Sequence, residues 1–365
     1  MNWYEVENPD TIASPALLVY PDRVTANIRS ALQIAGMADG KGAERLRPHV
    51  KTHKMRAVTE LLLAEGIVAF KCATLREARM LANAGARDVL LAYPLVGPSV
   101  QRLAELRDQY PAVRFACLID NETAADRLSA SFVASPLDVY IDLNVGMNRT
   151  GIKPADAPAL YDHCQSQPGI RVVGLHAYDG HIRDTDLTDR ARRTDESFTL
   201  AAGVQQAIAD AGGETLPLIM GGSPSFSMHA RRPGLELSPG TFVFWDAGYA
   251  QMLPDQPFVM AAVLLMRVIS IVDPQTICLD LGHKSVAAEN PLPRVVFLNE
   301  PGAQPIGQSE EHLVVRVEDS SPYQPGDVWY GVPVHICPTV NLYDQADVVV
   351  NNQWTGRWEV TARGH

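Results

Sequence analysis

The sequence predicts an α/β protein: a (β/α)8 TIM-type barrel with a second, mostly β domain. Three observations carry that expectation. Short apolar runs alternate with amphipathic stretches from Ala16 to Ser238, the mark of repeated parallel βαβ units, and this many units closes a barrel. From about Phe258 the texture turns to β-like runs separated by Pro, Gly and Asp turns. At 365 residues the chain also exceeds what one hydrophobic core usually serves. The expected division is a barrel at 13–250 and a β domain built from 1–12 and 251–365.

The elements follow in order. Ala16 to Tyr20 is an unbroken apolar run and reads as a buried strand, whereas Arg23 to Ala35 spaces its apolar residues as a helix does. Strand and helix then alternate: Arg45 to Pro48 before a helix near Met55 to Ala64, Ile67 to Phe70 before Arg76 to Ala84, and Val89 to Ala92 before Ser99 to Leu106. Further strands are expected at Val113 to Leu118, Val139 to Asn144 and Val172 to His176, the last leading to a long helix from about Arg190 to Ala211. Leu216 to Met220 and Leu235 to Ser238 close the series. In the second domain, Val263 to Val272, Thr276 to Leu281, Arg294 to Leu298, His312 to Val317 and Asp327 to Tyr330 read as strands, and the amino-terminal dozen residues are expected to join them.

Composition narrows the function classes. Apolar residues at 46% and charged residues at 20% describe an ordinary globular chain. A net charge of -11 argues against nucleic acid or an anionic membrane as partner. No apolar run reaches the roughly 20 residues that span a bilayer, and Met1-Asn2-Trp3-Tyr4-Glu5 lacks the features of a signal peptide, so a cytoplasmic location is expected. Cys72, Cys117, Cys164, Cys278 and Cys337 are odd in number and widely spaced, which does not suggest a disulfide framework.

The chemistry-bearing segments fall where a barrel places its site, on loops that follow strands. In Arg47-Pro48-His49-Val50-Lys51-Thr52-His53-Lys54, cations crowd Lys51. Such crowding disfavours an ammonium and frees the amine to attack a carbonyl, although a solvated basic surface would read the same way. Met220-Gly221-Gly222-Ser223-Pro224-Ser225 and Ser238-Pro239-Gly240-Thr241 follow consecutive late strands; glycines and small hydroxyls let backbone N–H groups close on a phosphate. Asn144-Val145-Gly146-Met147-Asn148-Arg149-Thr150-Gly151 offers a cation, Arg149, for a phenolate or carboxylate, or for a surface ion pair. In His176-Ala177-Tyr178-Asp179-Gly180-His181, a continuing strand would put His176 and Tyr178 on one face. On a strand or extended loop, His335 and Cys337 would likewise project together, as two ligands of an open metal site.

Taken together these segments resemble the metal-activated pyridoxal phosphate enzymes of the D-threonine aldolase and D-serine dehydratase family, whose barrel is of the alanine racemase type. The resemblance also draws on Leu279-Asp280-Leu281-Gly282-His283-Lys284-Ser285 and Glu311-His312, and covers nearly the whole chain. It implies that Lys51 forms the Schiff base, that Arg149 faces the cofactor's phenolic oxygen, and that Gly221, Gly222, Ser223, Gly240 and Thr241 hold the phosphate. Ser238 stands where racemases carry an arginine near the pyridine nitrogen, which leaves His176 and Tyr178 as candidate partners of that atom.

The resemblance further implies that His335 and Cys337 bind a divalent metal, zinc, manganese or magnesium. His-x-Cys is the habit of dehydratase-type members, an aldolase-type member having His-x-Asp. Asp179 stands where that aldolase type has a histidine, and His181 is the candidate to take over its work as base. The implied activity is a lyase of D-3-hydroxy amino acids, first of the D-threonine aldolase type. Dehydration of D-serine or 3-hydroxyaspartate is the alternative, with a racemase or a non-catalytic cofactor-binding protein behind it. A homodimer with a shared active site is implied as well.

Overall fold

The first strand, β1 (Ala16–Val19), is buried along its whole length, as its apolar run requires, yet it lies outside the barrel. In this computed structural model, which describes residues 1–364, the barrel sheet begins with β2 (Ala69–Cys72). It continues through β3 (Asp88–Pro94), β4 (Arg114–Ile119), β5 (Leu137–Leu143), β6 (Ile170–Ala177), β7 (Leu218–Met220) and β8 (Leu235–Leu237), each parallel to the next. Segment 46–49 completes the ring by bridging Leu46 to Leu237 and His49 to Lys71. The Lys71 N–H donates to the Pro48 carbonyl at 3.0 Å. Pro48 has no N–H to give a ladder, so this eighth member is a bridged segment rather than a regular strand.

The helices follow their sequence cues. Thr74 caps Leu75–Ala84 through its hydroxyl, and Gly85 ends that helix in the left-handed conformation. Asp186 caps the long helix Leu187–Asp210, whose start and end fall within a few residues of expectation. No helix among the described residues is long and apolar enough to cross a membrane.

Around the amino-terminal ends of the barrel strands, three arginines and three carboxylates alternate. Arg47 donates to Asp88 at 2.5 Å and Glu236 at 2.6 Å; Arg114 donates to Asp88 at 2.7 Å and Asp138 at 2.6 Å; Arg171 reaches Asp138 at 2.6 Å. Asp88 and Arg114 open β3 and β4, while Asp138, Arg171 and Glu236 are each the second residue of their strand. The charges balance, and Arg47, only 2% exposed, is buried with both its partners in place.

The second sheet is built on β9 (Ala262–Asp273), which pairs with β1, β10 (Thr276–Leu279) and β14 (Val328–Pro333). β11 (Val295–Phe297), β12 (Gln304–Gln308), β13 (Leu313–Arg316), β15 (Gln345–Val350) and β16 (Gln353–Glu359) complete it. Tyr4, Val6 and Ile12 pack into its core with Leu18, Val263, Leu265 and Val332, so the amino terminus is part of this domain.

β1 goes with them, because it pairs antiparallel with β9 and parallel with β15. The compact units are accordingly 29–51 with 59–240, and 1–28 with 52–58 and 241–364, rather than a barrel running unbroken over 13–250. The β15–β16 hairpin went unpredicted, although Asn351 and Asn352, at φ of 50° and 63°, mark a turn that suits the strand twist.

Candidate active site

Lys51 lies in a single 3-10 turn, Val50–Thr52, directly after the bridged segment. Its N–H donates to His49 Nδ1 at 3.2 Å, and its side chain is half-buried. The cation crowding expected from its sequence neighbours is not what the barrel provides. Arg47 is committed to the ion-pair ring, and Lys51 acts as a like charge on Lys71, far away in the chain. Three cationic side chains surround the ring of Tyr178: Lys51 Nζ at 5.7 Å, Lys71 Nζ at 5.6 Å and Arg149 Cζ at 5.2 Å from its centroid. Tyr178 follows the end of β6 and His176 is inside it, and both face Lys71, in line with the shared face expected for the pair.

Behind Lys71 runs a buried chain of polar groups, of which sequence reading named His176 but missed Lys71 and Asp142. Lys71 Nζ stands 3.4 Å from His176 Nε2, His176 Nδ1 is 2.7 Å from Asp142 Oδ1, and Thr150 donates to Asp142 Oδ2 at 2.9 Å. Lys71, His176 and Asp142 are 2%, 4% and 3% exposed. Burial, with Lys51 as a like charge, pushes the Lys71 amine down to about 7; burial and Lys71 lower His176 as well. The signal was available, since a lysine inside Ala-Phe-Lys-Cys and an aspartate inside Tyr-Ile-Asp-Leu each interrupt a buried apolar strand.

The Gly221-Gly222-Ser223 turn is pinned from beneath. Ser225 Oγ accepts from the Gly222 N–H at 3.3 Å and donates to Asp179 Oδ1 at 2.7 Å, while Asp179 Oδ2 is 2.7 Å from His229 Nε2. Asp179 and His229 are 1% and 0% exposed. Burial alone would raise Asp179, but the contacts with His229 and Ser225 prevail and lower it. Both its oxygens are therefore engaged, one by Ser225 and the other by His229. A Cβ on Gly222 would meet the Tyr178 ring at 2.9 Å, and Gly221 has φ +85°, so the turn and the aromatic ring require glycine at both positions.

His181 lies against Gly146, where an added Cβ would come within 2.6 Å of Nε2. Its Nδ1 is buried with no hydrogen-bond partner among the described residues, and burial with Arg193 nearby keeps the ring below its ordinary pKa. Ser223 is buried at the turn, and the Ser238 hydroxyl donates to the Arg47 carbonyl at 3.2 Å.

In the other unit, Cys337 Sγ is 3.2 Å from Thr52 Oγ1 and 3.5 Å from Thr241 Oγ1. His335 and Cys337 do come together, but not on a strand: His335 is the residue just before a short helix, Ile336–Val340, that contains Cys337. Asp246 holds this turn by accepting from the Ile336 N–H at 3.0 Å, and burial raises its carboxyl to about 6. Glu289 Oε1 sits 2.5 Å from His335 Nδ1, the way a carboxylate orients a metal-binding imidazole. Burial works against a charged His335, yet Cys337 and Glu289 outweigh it and raise the ring to about 9. No cluster of three or more His, Cys, Asp or Glu suited to a metal exists among the described residues.

A parallel barrel with an amine, glycine turns and three cationic side chains on the loops and ends of its strands is the architecture of an alanine racemase-type enzyme. The chain belongs to that family: the alanine racemase N-terminal domain model matches residues 19–247, and a putative serine dehydratase domain follows at 261–349. It is 30% identical to D-threonine aldolase from Arthrobacter sp. over 97% of this chain and 93% of that one. Identity with 3-hydroxy-D-aspartate aldolase from Paracoccus denitrificans (strain Pd 1222) is 27%, over 97% and 92%. The crystal structure of D-threonine aldolase from Filomicrobium marinum superposes with a TM-score of 0.87 at 29% identity, covering 97% of this chain and 96% of that one. D-threo-3-hydroxyaspartate dehydratase from Delftia sp. HT23, at a TM-score of 0.84 and 22% identity over 97% and 98%, shares the fold.

Proposed function

We propose that this chain is a lyase of D-3-hydroxy amino acids that uses pyridoxal phosphate and a divalent metal and cleaves its substrate as D-threonine aldolase does, to glycine and an aldehyde. The observation that carries this is the likeness to aldolases along the full length of the chain, together with a half-buried lysine at the barrel mouth among groups that suit an anionic cofactor.

The residues fit pyridoxal phosphate. Lys51 supplies the amine, the backbone around Gly221, Gly222, Ser223, Gly240 and Thr241 the phosphate cradle, and Arg149 a cation for the phenolic oxygen, with His176 and Tyr178 beside the ring. When bound, that cofactor serves as the electron sink for the bond that breaks. His335 and Cys337 offer the nitrogen and sulfur donors that suit zinc, and manganese or magnesium less well, for a Lewis acid that lowers the pKa of a substrate hydroxyl. His181, whose ring burial and Arg193 keep below its ordinary pKa, is the base that accepts that hydroxyl proton. Asp179 acts indirectly, by fixing Ser225 and through it the glycine turn.

Dehydration to a keto acid and ammonia is the second reading, favoured by the thiol at Cys337 where an aldolase-type member has a carboxylate. One assay separates the two: purified protein with D-threonine, D-serine and D-3-hydroxyaspartate, with and without Mn²⁺ or Zn²⁺, scored for glycine, aldehyde and keto acid. Metal-dependent aldehyde with glycine is expected from D-threonine; keto acid from every substrate overturns the aldolase reading. Borohydride reduction and peptide mapping should place the pyridoxyl group on Lys51. The same reading makes the protein a homodimer with a shared active site, which a fully active monomer in sedimentation would contradict.

A further inference from the structure

We propose that His229 is a positioning residue for the cofactor's phosphate: locked in one tautomer by Arg232, it holds Asp179 and Ser225 against the Gly221-Gly222-Ser223 turn and fixes the shape in which that turn receives the anion. This rests on the reading that the turn holds the phosphate of pyridoxal phosphate.

The direction of every hydrogen bond in the network can be assigned. Arg232 Nη1 stands 3.0 Å from His229 Nδ1, and a guanidinium can only donate, so Nδ1 is the acceptor and the ring proton is on Nε2. Nε2 therefore donates to Asp179 Oδ2 at 2.7 Å. Asp179 Oδ1 accepts from the Ser225 hydroxyl at 2.7 Å, which leaves Ser225 Oγ free to accept from the Gly222 N–H at 3.3 Å. The relay runs from a guanidinium to a backbone N–H of the turn with each group in a single role. His229, Asp179 and Ser225 are 0%, 1% and 1% exposed, so water does not compete for these bonds.

His229 also touches the turn directly. A Cβ on Gly221 would meet His229 Cδ2 at 3.1 Å and Ser225 Oγ at 3.3 Å, while one on Gly222 would meet the Tyr178 ring at 2.9 Å. The two glycines are thus packed between Tyr178 and the His229–Ser225 pair. Such support matters because a glycine turn is the most freely moving backbone there is, and an anion that had to order it would bind more weakly for that cost. A carboxylate so close to an anion site would otherwise work against the anion. Asp179 accepts at both oxygens, and Arg232, itself paired with Asp195, supplies a cation to the same network through His229.

The test is the affinity of cofactor-stripped protein for pyridoxal phosphate and for pyridoxal, which lacks the phosphate, by equilibrium dialysis in wild type, S225A, H229L and H229Q. Wild type should prefer pyridoxal phosphate, and S225A and H229L should lose about tenfold or more of that preference, the value of a buried hydrogen bond, with pyridoxal affinity unchanged. H229Q, whose amide can still donate to Asp179, should stay nearer wild type. An undiminished preference in S225A and H229L overturns the proposal, as does an equal loss for both ligands or H229Q falling as far as H229L. If wild type binds neither ligand, the pyridoxal phosphate reading itself fails; if wild type shows the preference and the variants keep it, only this inference does. Circular dichroism controls for folding, and S225A, which removes a single oxygen atom, carries the test should H229L misfold.

Discussion

The two ends of the barrel carry similar numbers of charged side chains and use them in opposite ways. At the amino-terminal ends of the strands, Arg47, Arg114 and Arg171 meet Asp88, Asp138 and Glu236 one for one, at distances of 2.5–2.7 Å. At the mouth, Lys51, Lys71 and Arg149 gather round Tyr178, with Asp142 the carboxylate that reaches Lys71 through His176. One end is complete in itself. The other carries an excess of positive charge that an anion must complete, and it is the end where barrel enzymes place their chemistry.

That contrast predicts opposite responses to losing a charge. The largest effect should come from the closed end: D88A removes one of two partners from buried Arg47 and should cost about 3 kcal/mol of folding stability, read by urea unfolding. The pH dependence has a definite sign. Burial would raise Asp88, but Arg47 and Arg114 hold it below its ordinary value. Its contribution is therefore present above the unfolded carboxylate pKa and is lost as pH falls through the lower, folded one. D88A should lose part of the wild-type acid sensitivity below about pH 4. An unchanged unfolding curve would mean that the ring is ornamental.

At the open end, R149A should leave unfolding nearly unchanged and weaken pyridoxal phosphate binding roughly ten- to a hundredfold, the value of one charge-assisted hydrogen bond, as measured by equilibrium dialysis. Equal affinity would remove Arg149 from the site.

The smallest effect should be the most telling. Because Lys71 is held near 7 in the fold, an unfolded chain carries a proton there that the folded one lacks between about pH 7 and pH 10. Stability of the cofactor-free wild type should therefore rise with pH across that window relative to K71M, by at most about 1.4 kcal/mol per pH unit. At pH 7, K71M should be as stable as wild type or more so. A K71M protein clearly weaker at pH 7 would make Lys71 a structural partner and bring the two barrel ends into line.

The regular part of the fold was legible residue by residue. β3 to β8, and the helices Pro98–Gln109 and Leu187–Asp210 among them, follow from apolar runs and helical spacing, because a strand covered on both faces must be continuously apolar. Ala16–Val19 has the same local signature as those strands, yet pairs with β9 and β15, because a buried apolar run says nothing about which sheet will bury it. The site divides the same way. Lys51, Arg149 and the glycine turns announce themselves through residue type and loop position, whereas Lys71 and Asp142 are isolated polar letters inside apolar strands.

The sequence by itself determined the alternation that makes a barrel, the loops on which a site can form, and the chemical character of the residues placed there. Only the tertiary structure decided which charges meet. It retired Arg47 into an ion pair, set His229 and Ser225 on Asp179, and brought Lys71 up beside Tyr178 with Lys51. The physical reason is that electrostatic interaction depends on distance and burial through space, and barrel closure brings together side chains that the chain order keeps far apart.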